Sequence, residues 1–397
     1  MMQIRMKSLL FLGCLCLMAL RVQAGNPERA GQAGATQLLV NPYARSSGFH
    51  GMDVASTGGI VSVINNPAGL SHTRRTEVVF SHTKWLVGSD ININAIGVSQ
   101  RLGAKGGVLG INVVSFDIGD IEITTIDQPD GGLGYFSPSF VNLGFSYAKE
   151  MLADRIFVGT TVKLVHESIT DVSANGVAVD AGVQYFNRNQ KFKLGVALRN
   201  VGPQMRYSGD GLAYRTSAGG PNFDNATSTV AERFEMPTVL YIGAAYTITI
   251  GEPSSYRYRL RKVEEKVTAS DYSDSTVYTM RKLDSTAVYD HRVTPMLTFV
   301  ANAFQRDQIG LGVEYRFKEM LMLRAAYMWE EDGLNQEETR NAFSGLAGGV
   351  SIELPFSMRD QRTGEKATSL TTFAVDYSFR HTWFFGGTHS FGFRINL

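Results

Sequence analysis

Beyond residue 16 the chain has no cysteine: its two, Cys14 and Cys16, both fall in the first 24 positions. Removal of that stretch would leave neither disulfides nor thiolate chemistry. Long apolar runs are missing as well. No later stretch reaches about eighteen consecutive apolar residues, which excludes a transmembrane helix. Net charge is nearly absent, with 38 Lys and Arg against 37 Asp and Glu. That balance argues against a broad nucleic-acid-binding surface, which needs clustered excess cations. Catalytic signatures are missing too. No H-E-x-x-H, G-x-S-x-G or P-loop occurs, and His50, His72, His82, His166, His291, His381 and His389 are scattered. No enzymatic activity, metal or cofactor is expected.

What is present begins with an export signal. Arg5 and Lys7 form a basic start, an apolar core runs from Ser8 to Leu20, and Val22-Gln23-Ala24 reads as a cleavage site. A rival reading takes Leu12-Gly13-Cys14 as a lipoprotein signal, but it would use only half of the apolar run. An uncleaved anchor is weaker still, since the run is too short to span a bilayer. Cleavage after Ala24 removes three cations and no acid, so the formal charge of +1 becomes −2. An exported chain without a helical span is either soluble or an outer-membrane barrel.

Residues 25–75 show little two-residue periodicity and read as a compact N-terminal plug with short helical turns. Within them Asn66 and Pro67 form a helix start, as cap and first position, in the stretch Asn66-Pro67-Ala68-Gly69-Leu70. From residue 76 apolar and small or charged positions alternate. Val177, Val179, Ala181, Val183 and Tyr185 alternate with Ala178, Asp180, Gly182 and Gln184. Phe391, Phe393, Ile395 and Leu397 alternate with Gly392, Arg394 and Asn396. A period of two puts each set on one face of a sheet. Many segments run to nine or more residues, about what a tilted strand needs to cross a bilayer.

Fourteen segments are expected as strands: 76–86, 90–100, 107–116, 138–148, 155–166, 176–186, 192–200, 238–249, 293–304, 309–317, 320–329, 344–353, 370–379 and 389–397. The first is ambiguous in phase, because Val78, Val79 and Phe80 are contiguous. An even count lets first and last strands close antiparallel. The prediction is therefore an all-β, fourteen-stranded antiparallel transmembrane barrel, residues 76–397, in the outer membrane of a Gram-negative bacterium. Both barrel ends then lie on the periplasmic side, and the long links 117–137, 201–237 and 330–343 face outward. One link breaks the rule of short periplasmic turns. Residues 250–292 hold Arg257, Arg259, Arg261, Lys262, Glu264, Glu265 and Lys266, and read as a solvated excursion, a small hairpin or a periplasmic docking element.

Charge on a lipid-facing position costs about 2–4 kcal/mol near the midplane for Arg or Lys. Asp180, Arg199, Glu314, Arg316, Arg324, Asp376 and Arg394 are therefore assigned to the lumen. Asp376 and Arg394 fall in diagonal register on adjacent strands, which favours paired, plug-supporting networks over a conducting pore. Eight strands are already filled by their own side chains, so fourteen enclose space that needs an occupant. Arg45 and Asp53 are candidates to anchor residues 25–75 to opposite wall charges. The acidic link with Asp117, Asp120, Glu122, Asp127 and Asp130 matches no EF-hand spacing and reads as a solvated loop.

Several motifs in order resemble the PorV/PorQ family of outer-membrane proteins, whose fold is similar to the FadL-type channel. They are Tyr43-Ala44-Arg45, Asp53-Val54-Ala55, Asn66-Pro67-Ala68-Gly69-Leu70, Val79-Phe80-Ser81-His82-Thr83-Lys84-Trp85, Ile118-Gly119-Asp120-Ile121-Glu122, Val162-Lys163-Leu164-Val165-His166, Arg199-Asn200-Val201-Gly202 and Leu311-Gly312-Val313-Glu314-Tyr315. The chain departs from the pattern at Asn65, where the family often has an aromatic, and at its final Leu397. The resemblance implies a non-enzymatic accessory or shuttle that binds proteins of a type IX translocon or attachment complex. The alternative is a FadL-like passive channel for hydrophobic small molecules. The inward positions are largely small or charged, which disfavours an apolar cavity.

Overall fold

The computed structural model describes residues 25–103, 106–152, 155–217, 224–268, 274–330, 344–356, 371–383 and 385–397, with the backbone alone at 27, 214–217, 224–226, 255–268 and 274–288. The export signal expected in residues 1–24 lies outside that set.

Fourteen wall strands close into a ring. The first seven are β1 (Thr76–Trp85), β2 (Ile91–Arg101), β3 (Val108–Asp117), β4 (Ser139–Leu152), β5 (Ile156–Ile169), β6 (Val172–Phe186) and β7 (Phe192–Val201). The rest are β8 (Val239–Tyr246), β9 (Asp274–Asn302), β10 (Gln308–Phe317), β11 (Leu321–Glu330), β12 (Gly345–Phe356), β13 (Thr371–Arg380) and β14 (Thr388–Asn396). Each pairs antiparallel with its neighbours in the chain, and β1 closes on β14 from Glu77↔Asn396 to Lys84↔His389. A closed ladder leaves no unpaired strand edge at membrane depth. Strand bounds fall within about four residues of those expected, apart from the start of β9, which continues a ribbon beyond the wall.

The faces are inverted relative to a soluble sandwich. Val177, Val179 and Val183 stand exposed on the outside, whereas Ala178, Asp180 and Gln184 are buried within. The phase of β1 is settled in the same way: Val79 is 2% exposed and faces inward, while Phe80 is 43% exposed. Exposed aromatics flank this belt, with Trp329 and Trp383 at one rim and Tyr246 and Phe356 at the other. An apolar outer band on a closed antiparallel ring is the architecture of a Gram-negative outer-membrane protein. Ile111, half exposed in mid-β3, tests the lipid assignment. Ile111→Arg is expected to destabilise the barrel by about 2–4 kcal/mol, and Leu102→Arg at the rim by about 0–1 kcal/mol, read from urea midpoints in phospholipid.

The two rims differ. Strand β1 begins and β14 ends at what is here the terminal rim. At the far rim lie the long links 118–138 and 202–238, each with a small hairpin (Ile121–Glu122 with Tyr135–Phe136, Ala213–Ser217 with Asp224–Ser228). The far-rim link 331–343 lies outside the described residues. Among the described residues the terminal rim carries short turns and one long excursion. There Ile248–Thr268 pairs with the first part of β9, from Ile248↔Val293 to Thr268↔Asp274, as a two-stranded ribbon. His291 to Val293 still pair with β10, so about eighteen residues per strand continue past the wall, a contour of roughly 60 Å at about 3.3 Å per residue. A second long link at this rim, residues 357–370, was not anticipated as an exception to the short-turn rule and lies outside the described residues.

Residues 25–75 run inside the ring as a chain of short helical turns. Ala44–Ser47 packs on β12, β13 and β14, Met52–Ala55 on β7 to β10, Ile60–Ile64 on β1 to β3, and Pro67–His72 on β4 to β6. Among the segment's side chains Tyr43, Val54, Ile60, Val63 and Leu70 have no exposed surface. Helical turns suit this place because each closes its own backbone hydrogen bonds without needing a strand partner.

Candidate functional site in the barrel interior

The turn Pro67–His72 is positioned by its cap. Asn66 is extended (φ −149°, ψ 105°), and its Oδ1 accepts the Ala68 N–H at 3.1 Å. The other end of the same side chain reaches the wall: Nδ2 donates to Val54 O at 3.0 Å and to Val183 O at 3.1 Å. This second role is not visible from the helix-cap pattern. It requires close approach, which two wall glycines permit. A Cβ on Gly182 would lie 2.1 Å from Asn66 Oδ1, and one on Gly159 would lie 2.4 Å from the Pro67 carbonyl. The seam between the inner segment and β1 is therefore also a contact with β5 and β6, across the lumen.

Asn65 has an equally defined place. Its Nδ2 donates to Asp53 Oδ1 at 2.7 Å and to Ser46 Oγ at 2.5 Å, and its Oδ1 accepts Asn41 Nδ2 at 3.0 Å. An aromatic here would leave these buried groups unpaired. Asp53 also accepts Ser46 Oγ at 2.6 Å. Its carboxylate thus ties turns of the inner segment to one another, which corrects the expectation that it anchors the segment to wall charges. The reason is distance along the fold: its nearest donors are the small polar groups of adjacent turns. Arg45 forms no ion pair within 4 Å among the described residues, but it faces the wall carboxylate of Glu314 across a cavity of about 60 Å³ that Arg316, Lys193 and Arg292 also line.

The segment is held to the wall by other groups. Glu77 Oε2 accepts the Ile60 N–H at 2.8 Å, and Gln184 Nε2 donates to Val54 O and Thr57 O at 3.0 and 3.1 Å. Arg199 Nη2 donates to Leu38 O at 2.9 Å, Thr298 Oγ1 to Met52 O at 2.8 Å, and Gln37 Nε2 to Glu167 Oε1 at 2.8 Å. Most of these are wall side chains meeting inner backbone. Strand parity alone marks Gln184 as inward, but which carbonyl it meets depends on the path of the turns.

The inward charges gather into two networks. In the first, Glu314 receives Arg316 on Oε1 and Arg324 Nε on Oε2 at 3.2 Å. Arg324 donates to Ser351 Oγ at 2.6 Å, and Ser351 donates to Asp376. Ala374↔Arg394 and Asp376↔Gly392 are paired positions, so Asp376 and Arg394 are diagonal neighbours, with Nε 3.8 Å from Oδ2. Arg394 continues to Glu353 Oε2 at 3.1 Å. The network spans five adjacent strands, β10 to β14. In the second, Asp180 lies 2.5 Å from Lys163 Nζ and 3.9 Å from Arg199 Nε, and accepts the Asn200 N–H at 2.8 Å. It occupies an irregularity in the β6–β7 ladder between Val179 and Ala181, where Asn200 adopts φ +59°.

The interior also holds an apolar patch. Toward the far rim, Val40 and Tyr43 pack with Ile93, Val114 and Phe116, and Trp85, Ile91 and Phe140 close over them. These wall residues sit at the far-rim ends of β1 to β4. Sequence parity disfavoured an apolar interior because Gly, Asp and Arg dominate the central positions. This apolar patch arises where strand-end aromatics meet side chains that the inner segment brings with it.

Among the described residues no three His, Cys, Asp or Glu gather in a form that could hold a metal. In the acidic link, Glu122 Oε1 accepts the Gly132 N–H at 2.9 Å and Asp120 accepts Ser137 Oγ.

No family model matches the chain, so the PorV/PorQ resemblance gains no support there, and no curated protein matches. Solved outer-membrane barrels do. The Pseudomonas putida toluene transporter TodX is 11% identical, covering 86% of this chain and 93% of its own, with a TM-score of 0.41. A Pseudomonas aeruginosa FadL homologue is 11% identical, covering 89% and 96%, with a TM-score of 0.40. The Acinetobacter baumannii protein Omp33 is 8% identical, covering 81% and 96%, with a TM-score of 0.32.

Proposed function

We propose that this outer-membrane barrel is a passive, gated channel that admits small hydrophobic molecules at its far rim and is closed at rest by residues 25–75. The observation that carries the reading is the apolar lining around Trp85, Phe116 and Phe140, buried against Val40 and Tyr43. A water-filled pore has no use for such a lining, whereas a hydrophobic solute partitions into it at about 25 cal/mol per Å² of apolar surface removed from water. Nearer the terminal rim the interior holds charges, at Arg316, Glu353 and Arg394, and a second apolar cluster of Phe157 and Phe186. Passage then requires the inner segment to shift.

The test is uptake of a labelled monoaromatic hydrocarbon or long-chain fatty acid by intact cells with a complete lipopolysaccharide layer. Cells making the wild-type chain are expected to take it up severalfold faster than cells making Phe116→Glu. Equal rates, with both barrels folded, refute the reading.

A second reading is supported by the terminal-rim ribbon of Ile248–Thr268 and β9. A paired projection of this length is suited to docking a protein partner, the role that the PorV/PorQ resemblance implies for a type IX translocon. Affinity purification in mild detergent from the native outer membrane, with and without residues 250–292, is expected to lose that partner with the ribbon. Recovery of a solitary barrel in both cases dismisses it.

A further inference from the structure

Arg380 ends β13 at the far rim and is 3% exposed. Its guanidinium lies 4.8 Å from the centroid of the Trp85 ring, yet Nε and one terminal nitrogen have no hydrogen-bond acceptor. No carboxylate of the described residues lies within ion-pair range of it. Neither ring nitrogen of His50, 8% exposed, makes a hydrogen bond of full geometry, and the Leu346 and Gly345 carbonyls are its nearest backbone acceptors. His50 and Arg380 line one cavity of about 30 Å³, which Arg199, Tyr241 and Gln308 complete. Arg199 is poorly neutralised, because Asp180, 3.9 Å away, is shared with Lys163 at 2.5 Å. The carboxylate of Glu330 accepts Gln308 Nε2 at 3.3 Å.

A buried cation without a counter-charge is among the least favourable features a fold can carry. Water relieves the missing hydrogen bonds but not the charge. The Tyr241 hydroxyl, which accepts Arg199 at 3.3 Å, keeps its own proton to donate. A neutral His50 offers one further N–H. The cavity therefore presents donors and positive charge, and none of its lining residues carries an acid. Its volume exceeds the about 10–15 Å³ of accessible space that one water molecule requires.

We propose that this cavity binds one compact monoanionic group, a halide or a carboxylate, between Arg380 and His50. Charge-assisted hydrogen bonds from the guanidinium hold the anion, and its presence neutralises the far-rim end of β13. The proposal needs only the closed barrel and stands apart from the passage reading.

The test uses the purified full chain in detergent, unfolded by urea in sodium chloride and in sodium gluconate of equal ionic strength. Gluconate is too bulky to enter. Chloride is expected to raise the wild-type midpoint saturably; at one hundred times its dissociation constant it shifts the folding equilibrium by about 100-fold. Arg380→Met is expected to fold and to lose the chloride response. Equal wild-type midpoints in the two salts, or an undiminished response in Arg380→Met, overturn the proposal. Should that variant yield no folded barrel, bromide-soaked wild-type crystals decide, since an anomalous peak beside Arg380 is required and its absence refutes the site. Competition against bromide separates the sources. Formate equal to octanoate marks a site for free ions, whereas tighter octanoate marks the head of an amphiphile.

Discussion

Gly159→Val is expected to dislodge the inner segment while leaving the wall closed. A Cβ at this position would meet Pro67 C and O at 2.4 Å and Ala68 N at 2.6 Å, all backbone atoms that cannot rotate away. Overpacking of this kind costs about 1–3 kcal/mol and sometimes more. Here the strain falls on the weaker partner. Gly159 is held in ladders with Ala148 and Gly182, whereas the turn at Pro67 is held by a few side-chain contacts. The wall therefore stays and the turn moves. Single-channel conductance should rise from a low resting level, and Asn66 should become accessible to proteolysis nearby, while heat-modifiable gel migration persists. Gly312→Ala is the control: its Cβ would meet Phe49 at 3.5 Å, an ordinary contact. Equal conductance in the two variants would show that the inner segment does not seal the lumen.

The second large effect is expected at Glu314. Its carboxylate is shared by Arg316 and Arg324, and the Arg324 side chain has no exposed surface. Glu314→Gln removes one negative charge and leaves two guanidinium groups facing each other. Breaking a buried pair from one side costs about 3–5 kcal/mol, because the remaining charge is stranded. The partial exposure of Arg316 places this site at the lower end. Removing Arg324 as well should recover much of the loss, since a buried pair replaced as a unit is often near neutral. Urea midpoints for Glu314→Gln, Arg324→Met and the double variant give the coupling directly. Additive losses would mean that the two groups act independently and that the network is not a unit.

The wall was legible because its rule is local. Val177, Val179 and Val183 against Ala178, Asp180 and Gln184 declare a two-residue period within ten positions, and lipid enforces that period strand after strand. Diagonal neighbours such as Asp376 and Arg394 follow once the strand bounds are nearly right. Asn66 was legible as a cap for the same reason, since cap and first turn are adjacent in the chain.

The interior was not legible in the same way. Asp53 reads as a wall anchor until its neighbours Ser46 and Asn65 are seen to claim it. Glu77, a rim residue in a strand of uncertain phase, proves to hold the Ile60 N–H. Asn65 reads as a departure from a family pattern and proves to join three turns.

By itself the sequence determined a fourteen-stranded membrane barrel with its charges turned inward and an irregular segment before it. Alternation is imposed by the two solvents, and each residue meets its solvent regardless of distant chain. Only the tertiary structure decided which wall groups meet the inner segment, where the apolar patch of the lumen lies, and that no carboxylate of the described residues pairs with Arg380. Those facts depend on the path of a chain that follows no period. Such a path is set by close packing among residues some ninety or more positions apart, where one missing Cβ, at Gly159 or Gly182, settles which surfaces can touch.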